Sequence, residues 1–247
     1  MEVLILAGGY GTRLYPLVTD TPKPLLKIND KKSLIDFTLD KVYPLEGLTR
    51  IYVVTNNKFY DNFVEWEKTL KDKPCPIKII NDGTNTPEDR LGSIGDIHFV
   101  IKNENIQDDL VVIGGDNLFD YELKDFIQFA GKSKPYVTVG LYDIKDISQA
   151  TKFGVVGLGN DTISSFEEKP KEPRSSLIAM CLYYFPREML ASVGEYLNET
   201  KKADKAGEYI QWLFQKTDVY GFTFQGQWYD IGSIESYRAA QEAFKNQ

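Results

Sequence analysis

Cysteine and histidine are almost missing from this chain, and each scarcity closes off a class of chemistry. Of 247 residues, two are cysteines, Cys75 and Cys181, with no CxxC pair. They supply neither a disulfide framework nor a thiolate zinc site, and a reduced, cytoplasmic setting is expected. The single histidine, His98, leaves no two-histidine metal site, and no serine stands in a nucleophile elbow to make a hydrolase triad. His98 itself is expected to be a packed or surface residue. Cationic charge is short as well: Lys plus Arg is 29 against 36 Asp plus Glu, a net charge of −7. That argues against nucleic acid as a partner and leaves any phosphate ligand to a few placed cations and backbone amides. No apolar run is long enough for a membrane span. The run Val3 to Ala7 is also too short for an export signal, with no basic residue before it.

What is present is an ordinary globular mixture, 42% hydrophobic and 26% charged, long enough to bury roughly 70 to 75% of its extended-chain surface without metals or cross-links. Apolar runs at Val3–Leu6, Ile51–Thr55, Ile77–Ile80 and Leu110–Ile113 read as buried strands. Between them, apolar residues recur at helical spacing. Leu34, Ile35, Thr38, Leu39 and Val42 mark one stripe; Phe59, Phe63, Trp66 and Leu70 a second; Leu123, Phe126, Ile127 and Ala130 a third. The alternation predicts an α/β fold, an open and mostly parallel Rossmann-like sheet with helices on both faces. After about residue 135 strands crowd together (136–142, 153–158, 162–167, 177–185 and 219–224), with helices near 187–197, 205–215 and 233–245. The second half therefore reads as β-rich insertions. A soft boundary falls near residue 135, with neither a linker nor an internal repeat.

The text LILAGGYGTRLYPLVTDTPKPLL places Gly8, Gly9 and Gly11 at the end of the first strand, where glycines let several amides face a phosphate. The dinucleotide fingerprint fails, because Leu14 stands where the third glycine belongs, and the GxxxxGK[ST] loop is absent. This weakens an oxidoreductase reading. Pro16, Pro22 and Pro24 prevent a helix from running straight on, so the segment wraps, and the wrap can set Arg13 and Lys23 around a triphosphate. Leu110–Ile113 ends in GGDNLF, which puts Asp116 and Asn117 at the carboxyl end of a strand, where open α/β sheets bind ligands. Downstream, QWYDIGS holds Asp230. Two carboxylates without histidine suit Mg²⁺ better than zinc. A third element, SSFEEKP, follows FGVVGL and sets Glu168 beside Lys169 at a strand end.

The combined string GGxGTRLxP with TPKPLL resembles the signature of the sugar-1-phosphate nucleotidylyltransferases, the glucose-1-phosphate thymidylyltransferase type among them. The likeness runs from residue 2 to about 240. It implies one nucleotidyltransferase domain over 1–247, of the nucleotide-diphospho-sugar transferase type, with a nucleotide-binding half (1–135) and a sugar-phosphate-binding half (136–247). Leu6, Ala7, Gly8, Gly9, Gly11 and Thr12 would contact the nucleotide, with Asn81 and Gly92 on the base side. Arg13, Lys23 and Lys169 would be the catalytic cations, Asp116 (GDN) and Asp230 (WxDxG) the Mg²⁺ ligands, and Asn117, Gly154, Glu168 and Lys169 the sugar-phosphate contacts.

The implied reaction condenses a nucleoside triphosphate with a sugar-1-phosphate, glucose-1-phosphate with TTP or UTP as the best guess. A CTP-dependent member and a non-catalytic nucleotide-sugar-binding regulator are the alternatives, and assembly into a homo-oligomer stays open. Two departures bear on specificity. The stretch NDGTNTPEDRLGSIG has a longer loop between Asn81 and Gly92 than relatives carry, and Cys181 stands where relatives often have glycine. With about 17 residues after Asp230, no β-helical tail is expected.

Overall fold

The structure is a computed structural model and describes residues 1–245. In chain order the first elements are β1 (Glu2–Leu6), α1 (Leu34–Val42), β2 (Arg50–Thr55), α2 (Tyr60–Thr69), β3 (Ile77–Asn81), α3 (Gly92–Asn103) and β4 (Leu110–Gly114). There follow β5 (Asn117–Phe119), α4 (Lys124–Lys132), β6 (Thr138–Asp143), β7 (Gly154–Gly159), β8 (Thr162–Glu168) and β9 (Leu177–Phe185). The last are α5 (Ala191–Thr200), α6 (Ala206–Leu213), β10 (Tyr220–Thr223), β11 (Trp228–Asp230) and α7 (Ile234–Ala243). Contacts divide the chain into two compact units interleaved in sequence: Met1–Gly92, Ile113–Glu122 and the stretch from Gly226 form one, Ser93–Val112 and Leu123–Gln225 the other.

In the first unit β3, β2 and β1 are parallel, with Val3 opposite Ile51 and Val53 opposite Ile79. Parallel strands are buried on both faces, and Val3, Leu4, Ile5, Ile51, Val53 and Val54 are accordingly solvent-free. Helix α1 starts on a capping box, Ser33 N–H donating to Asp36 Oδ2 at 2.7 Å. The indole N–H of Trp66 on α2 reaches Asp36 Oδ1 at 2.9 Å, which ties the two helices together. A separate ribbon pairs β5 with β11 antiparallel, Phe119 opposite Trp228 and Asn117 opposite Asp230. One apolar cluster (Leu14, Phe37, Leu118, Ile231, Phe244) lies beneath it and joins the glycine loop, α1, the ribbon and α7.

In the second unit strand order runs β9-β6-β10-β8-β7, and β7 also pairs with β9. Here β10–β6 is parallel, whereas β6–β9, β7–β8, β7–β9 and β10–β8 are antiparallel. Antiparallel pairs need only short connections, which is why the strands crowd together in this part of the sequence. Helix α4 buries Phe126 and Ala130, with Phe126 5.6 Å from the ring of Phe224. The α/β alternation expected from sequence is present. The β5–β11 ribbon has no counterpart in that reading, because three-residue strands carry no periodicity.

Candidate functional site

Strand β1 hands over to the glycine loop at Leu6 and Ala7. The loop is pinned from behind, mostly through its carbonyls: Ala7 N–H donates to Val54 O (2.8 Å), Thr55 Oγ1 to Ala7 O (3.2 Å) and Asn56 Nδ2 to Gly8 O (3.0 Å). Tyr10 OH donates to Thr84 Oγ1 at 3.3 Å, and Thr84 is held by Asp82. Among the described residues, none of the amides from Gly8 to Arg13 donates to a main-chain carbonyl. Gly11 takes a φ of 62°, which glycine adopts without strain. Thr12–Leu14 form one 3₁₀ turn anchored by buried Leu14. The result is a row of amides with open hydrogen-bonding capacity, the arrangement that cradles phosphates.

Asp116 reaches the same unit through a close backbone approach. Gly115 N–H donates to Leu6 O at 2.9 Å, and a Cβ at Gly115 would stand 2.6 Å from that oxygen. Beyond it Asp116 Oδ2 accepts from Lys23 Nζ at 3.0 Å and Oδ1 from Asn117 Nδ2 at 3.1 Å. Asn117, 3% exposed, accepts on Oδ1 from Trp228 Nε1 at 2.6 Å. Burial pushes the Asp116 carboxyl up, but the Lys23 ammonium, its hydrogen bond and the Arg13 guanidinium outweigh this and hold it below the usual carboxylate range.

The ribbon register sets Asp230 opposite Asn117, and Ile231 N–H donates to Asp116 O at 2.9 Å. A Cβ at Gly232 would lie 3.3 Å from Asp230 Oδ2 and 3.9 Å from Arg13 Nη1, so guanidinium and carboxylate flank the same glycine. Among the described residues no three His, Cys, Asp or Glu form a metal cluster. Two carboxylates, Asp116 just before β5 and Asp230 at the end of β11, with oxygen donors only, nevertheless fit a hard divalent cation that fills its other positions with phosphate and water.

Asn81 is tied into its own loop, accepting from Gly83 N–H (2.9 Å) and donating to Asn57 Oδ1 (3.0 Å). Gly92, at φ 78°, opens α3.

In the second unit, Glu168 and Gly154 are opposite each other in the β7–β8 ladder. The Glu168 carboxylate lies directly over Gly207 of α6, its Cδ 2.7 Å from where a Cβ would be. Lys169 holds φ 50°, a region that costs a non-glycine residue about 1–3 kcal/mol, and its N–H donates to Phe153 O at 3.0 Å. Lys169 Nζ is 3.8 Å from Glu168 Oε1. Burial raises the Glu168 carboxyl above its ordinary range against the pull of Lys169 and Lys205. A cavity of about 330 Å³ opens there, lined by Glu168, Tyr196, Lys202, Lys205, Glu208 and Trp212. His98 packs against Gly194.

The structure thus brings Lys23, Asp116 and Asn117 together, sets Arg13 by Asp230, and joins Gly154 with Glu168 and Lys169. Sequence reasoning missed Gly115, Trp228 and Gly207. The GGD doublet was the signal for the first and the tryptophan beside Asp230 for the second; nothing in the text of α6 marks the third.

Compared with known proteins, residues 2–247 match the family described as "Nucleotidyl transferase". Glucose-1-phosphate adenylyltransferase of Thermosipho africanus is 28% identical over 95% of this chain and 59% of its own length. The protein of the same name from Clostridium novyi is 29% identical over 96% of this chain and 64% of its own. The chain therefore spans about three fifths of the curated relatives it matches. In fold it is similar to a UDP-glucose pyrophosphorylase complexed with UDP-glucose, with a TM-score of 0.82, 21% identity, and 98% and 97% of the two chains covered.

Proposed function

The chain belongs to the nucleotidyl transferase family, and on that premise we propose that it condenses a nucleoside triphosphate with a sugar-1-phosphate, releasing pyrophosphate. The observation that carries this reading is the first unit's row of open amides, with Arg13, Asp116 and Asp230 held on the same backbone framework. A phosphate monoester loses its second proton near pH 6, so the attacking oxygen is already mostly ionised at neutral pH and needs no general base. The barrier is repulsion between two anions. Positioning and placed cations lower it.

In this reading Lys169 holds the attacking phosphate while Glu168 and Gly154 receive the sugar. Asn117, expected on the sugar phosphate, is buried and engaged by Asp116 and Trp228, and its part in this reading is to hold Asp116 in place. Arg13, Lys23 and the amides of Gly8 to Thr12 take the charge that builds on the departing pyrophosphate. Asn81 and Gly92 border the base. Asp116 and Asp230 would hold Mg²⁺, which when bound neutralises charge across the phosphate oxygens. We place the work in the cytoplasm, with glucose-1-phosphate and TTP or UTP as first substrates. The adenylyltransferase names of the relatives add ATP to the nucleotides worth trying.

Pyrophosphate release with Mg²⁺ across a grid of five nucleoside triphosphates and several sugar-1-phosphates tests the reading. Release that requires both substrates is expected. Silence across the grid while a nucleotide-sugar still binds by calorimetry would replace catalysis with a regulatory binding role.

A further inference from the structure

We propose that Lys23 is an internal counter-cation for Asp116 in the ligand-free chain, exchanged for a divalent cation only when a triphosphate is present to receive the lysine. The proposal rests on the nucleotidyl-transfer reading of this site. Both oxygens of Asp116 are already engaged, Oδ2 by Lys23 Nζ at 3.0 Å and Oδ1 by Asn117 Nδ2 at 3.1 Å. Asn117 is not the partner that yields. An indole N–H can only donate, so the 2.6 Å bond from Trp228 Nε1 fixes Asn117 Oδ1 as acceptor and leaves Nδ2 on Asp116.

Lys23 is the partner that can move. Its backbone is stiffened on both sides by buried Pro22 and Pro24, but four rotatable side-chain bonds lie between that backbone and the ammonium. The pair is only partly enclosed, with the lysine side chain 14% and the aspartate side chain 38% exposed. Carboxylate oxygens bind Mg²⁺ at about 2.0–2.1 Å. A cation so close to Oδ2 and an ammonium on the same oxygen would crowd three positive charges onto one negative charge, so the lysine has to leave.

Metal alone offers the displaced ammonium no new anion. A triphosphate offers several, beside the open amides of the glycine loop. Metal and nucleotide therefore enter this unit cooperatively, each improving the other's affinity by the same factor.

Mn²⁺ binding to the nucleotide-free full chain, followed by electron paramagnetic resonance, tests this without turnover. Lys23→Met is expected to tighten Mn²⁺ binding by about tenfold or more, the size of close charge couplings, whereas Lys23→Arg keeps it weak. Asp116→Asn is expected to abolish binding in both the wild-type and the Lys23→Met backgrounds. Circular dichroism checks folding, and Lys23→Gln carries the same expectation if the methionine variant does not fold. Mn²⁺ affinity of the neutral variants within twofold of wild type, with Asp116→Asn still abolishing binding, overturns the exchange but leaves Asp116 as a metal ligand. Binding that survives Asp116→Asn overturns the underlying reading of the site as well.

Discussion

Alanine should act in opposite ways at Gly115 and Gly9. A Cβ at Gly115 would stand 2.6 Å from Leu6 O and 3.1 Å from Pro24 Cγ. Relief to 3.0 Å requires at least 0.4 Å of movement (3.0 − 2.6) by groups that resist it. Leu6 O belongs to a strand paired with Val54 and accepts from Gly115 itself, and Pro24 is a ring within the turn that carries Lys23. Overpacking of this kind costs about 1–3 kcal/mol, and each kcal/mol lowers Tm by about 2–4 °C at this chain length. Gly9 has no heavy atom within 4 Å of its Cβ position and no left-handed φ. Gly9→Ala is therefore expected to stay within about 0.5 kcal/mol of wild type, while its methyl group obstructs the open amides and weakens nucleotide binding by about tenfold or more. Urea unfolding and nucleotide titration of both variants read the two effects. A stable Gly115→Ala, or a Gly9→Ala that binds nucleotide like wild type, would refute the geometric argument.

Arg13→Ala and Asp230→Asn are each expected to lower kcat about 100-fold, the usual loss for a preorganised charge stabiliser; steady-state turnover within threefold of wild type for both would remove these assignments. Burial pushes the Asp109 carboxyl up, but Lys134, Tyr184 OH and the Arg187 amide hold it below its ordinary value. Its stabilisation is therefore present above the unfolded value of about 3.9 and lost as pH falls through the lowered one. Asp109→Asn should cost about 1–3 kcal/mol at pH 7, a gap that closes in acid when urea unfolding is followed against pH. Glu168 has the opposite sign: burial raises its carboxyl, so its contribution is favourable below the unfolded value and lost as pH rises through the raised one. Glu168→Gln should thus be at least as stable as wild type at pH 7 by thermal unfolding, while KM for the sugar phosphate rises.

Much of the fold is legible because burial imposes periodicity. The runs at Val3, Ile51 and Leu110 are solvent-covered strands, and the stripes through Val42, Phe63 and Phe126 are helix faces. The run at Ile77, expected to be buried, is a strand at the sheet edge with Lys78 exposed and only Ile80 buried, because an edge strand has a neighbour on one side alone. The chemistry-bearing motifs were legible for a different reason: glycine, proline and paired acids are constrained by backbone and charge. What stayed hidden depends on distant pairings. Trp228 meets Asn117 across 111 positions, through strands too short to pattern, and only that ribbon sets Asp230 opposite Asn117. Gly115 reads as half of a turn until Leu6 O is seen against it. Lys23, expected on phosphates, stands on Asp116, because a lysine beside a carboxylate at a strand end finds the nearest anion. Gly207 gives no sign in sequence that a carboxylate must lie across its helix.

In the proposed reaction an oxygen of the sugar phosphate attacks the α-phosphorus. Heavy-oxygen label in the phosphate of the sugar-1-phosphate, followed by phosphorus NMR and mass spectrometry of all products, tests it most directly. On this account all of the label appears in the nucleotide-sugar and the pyrophosphate is unlabelled. Label found in the pyrophosphate, or released as inorganic phosphate, would contradict it.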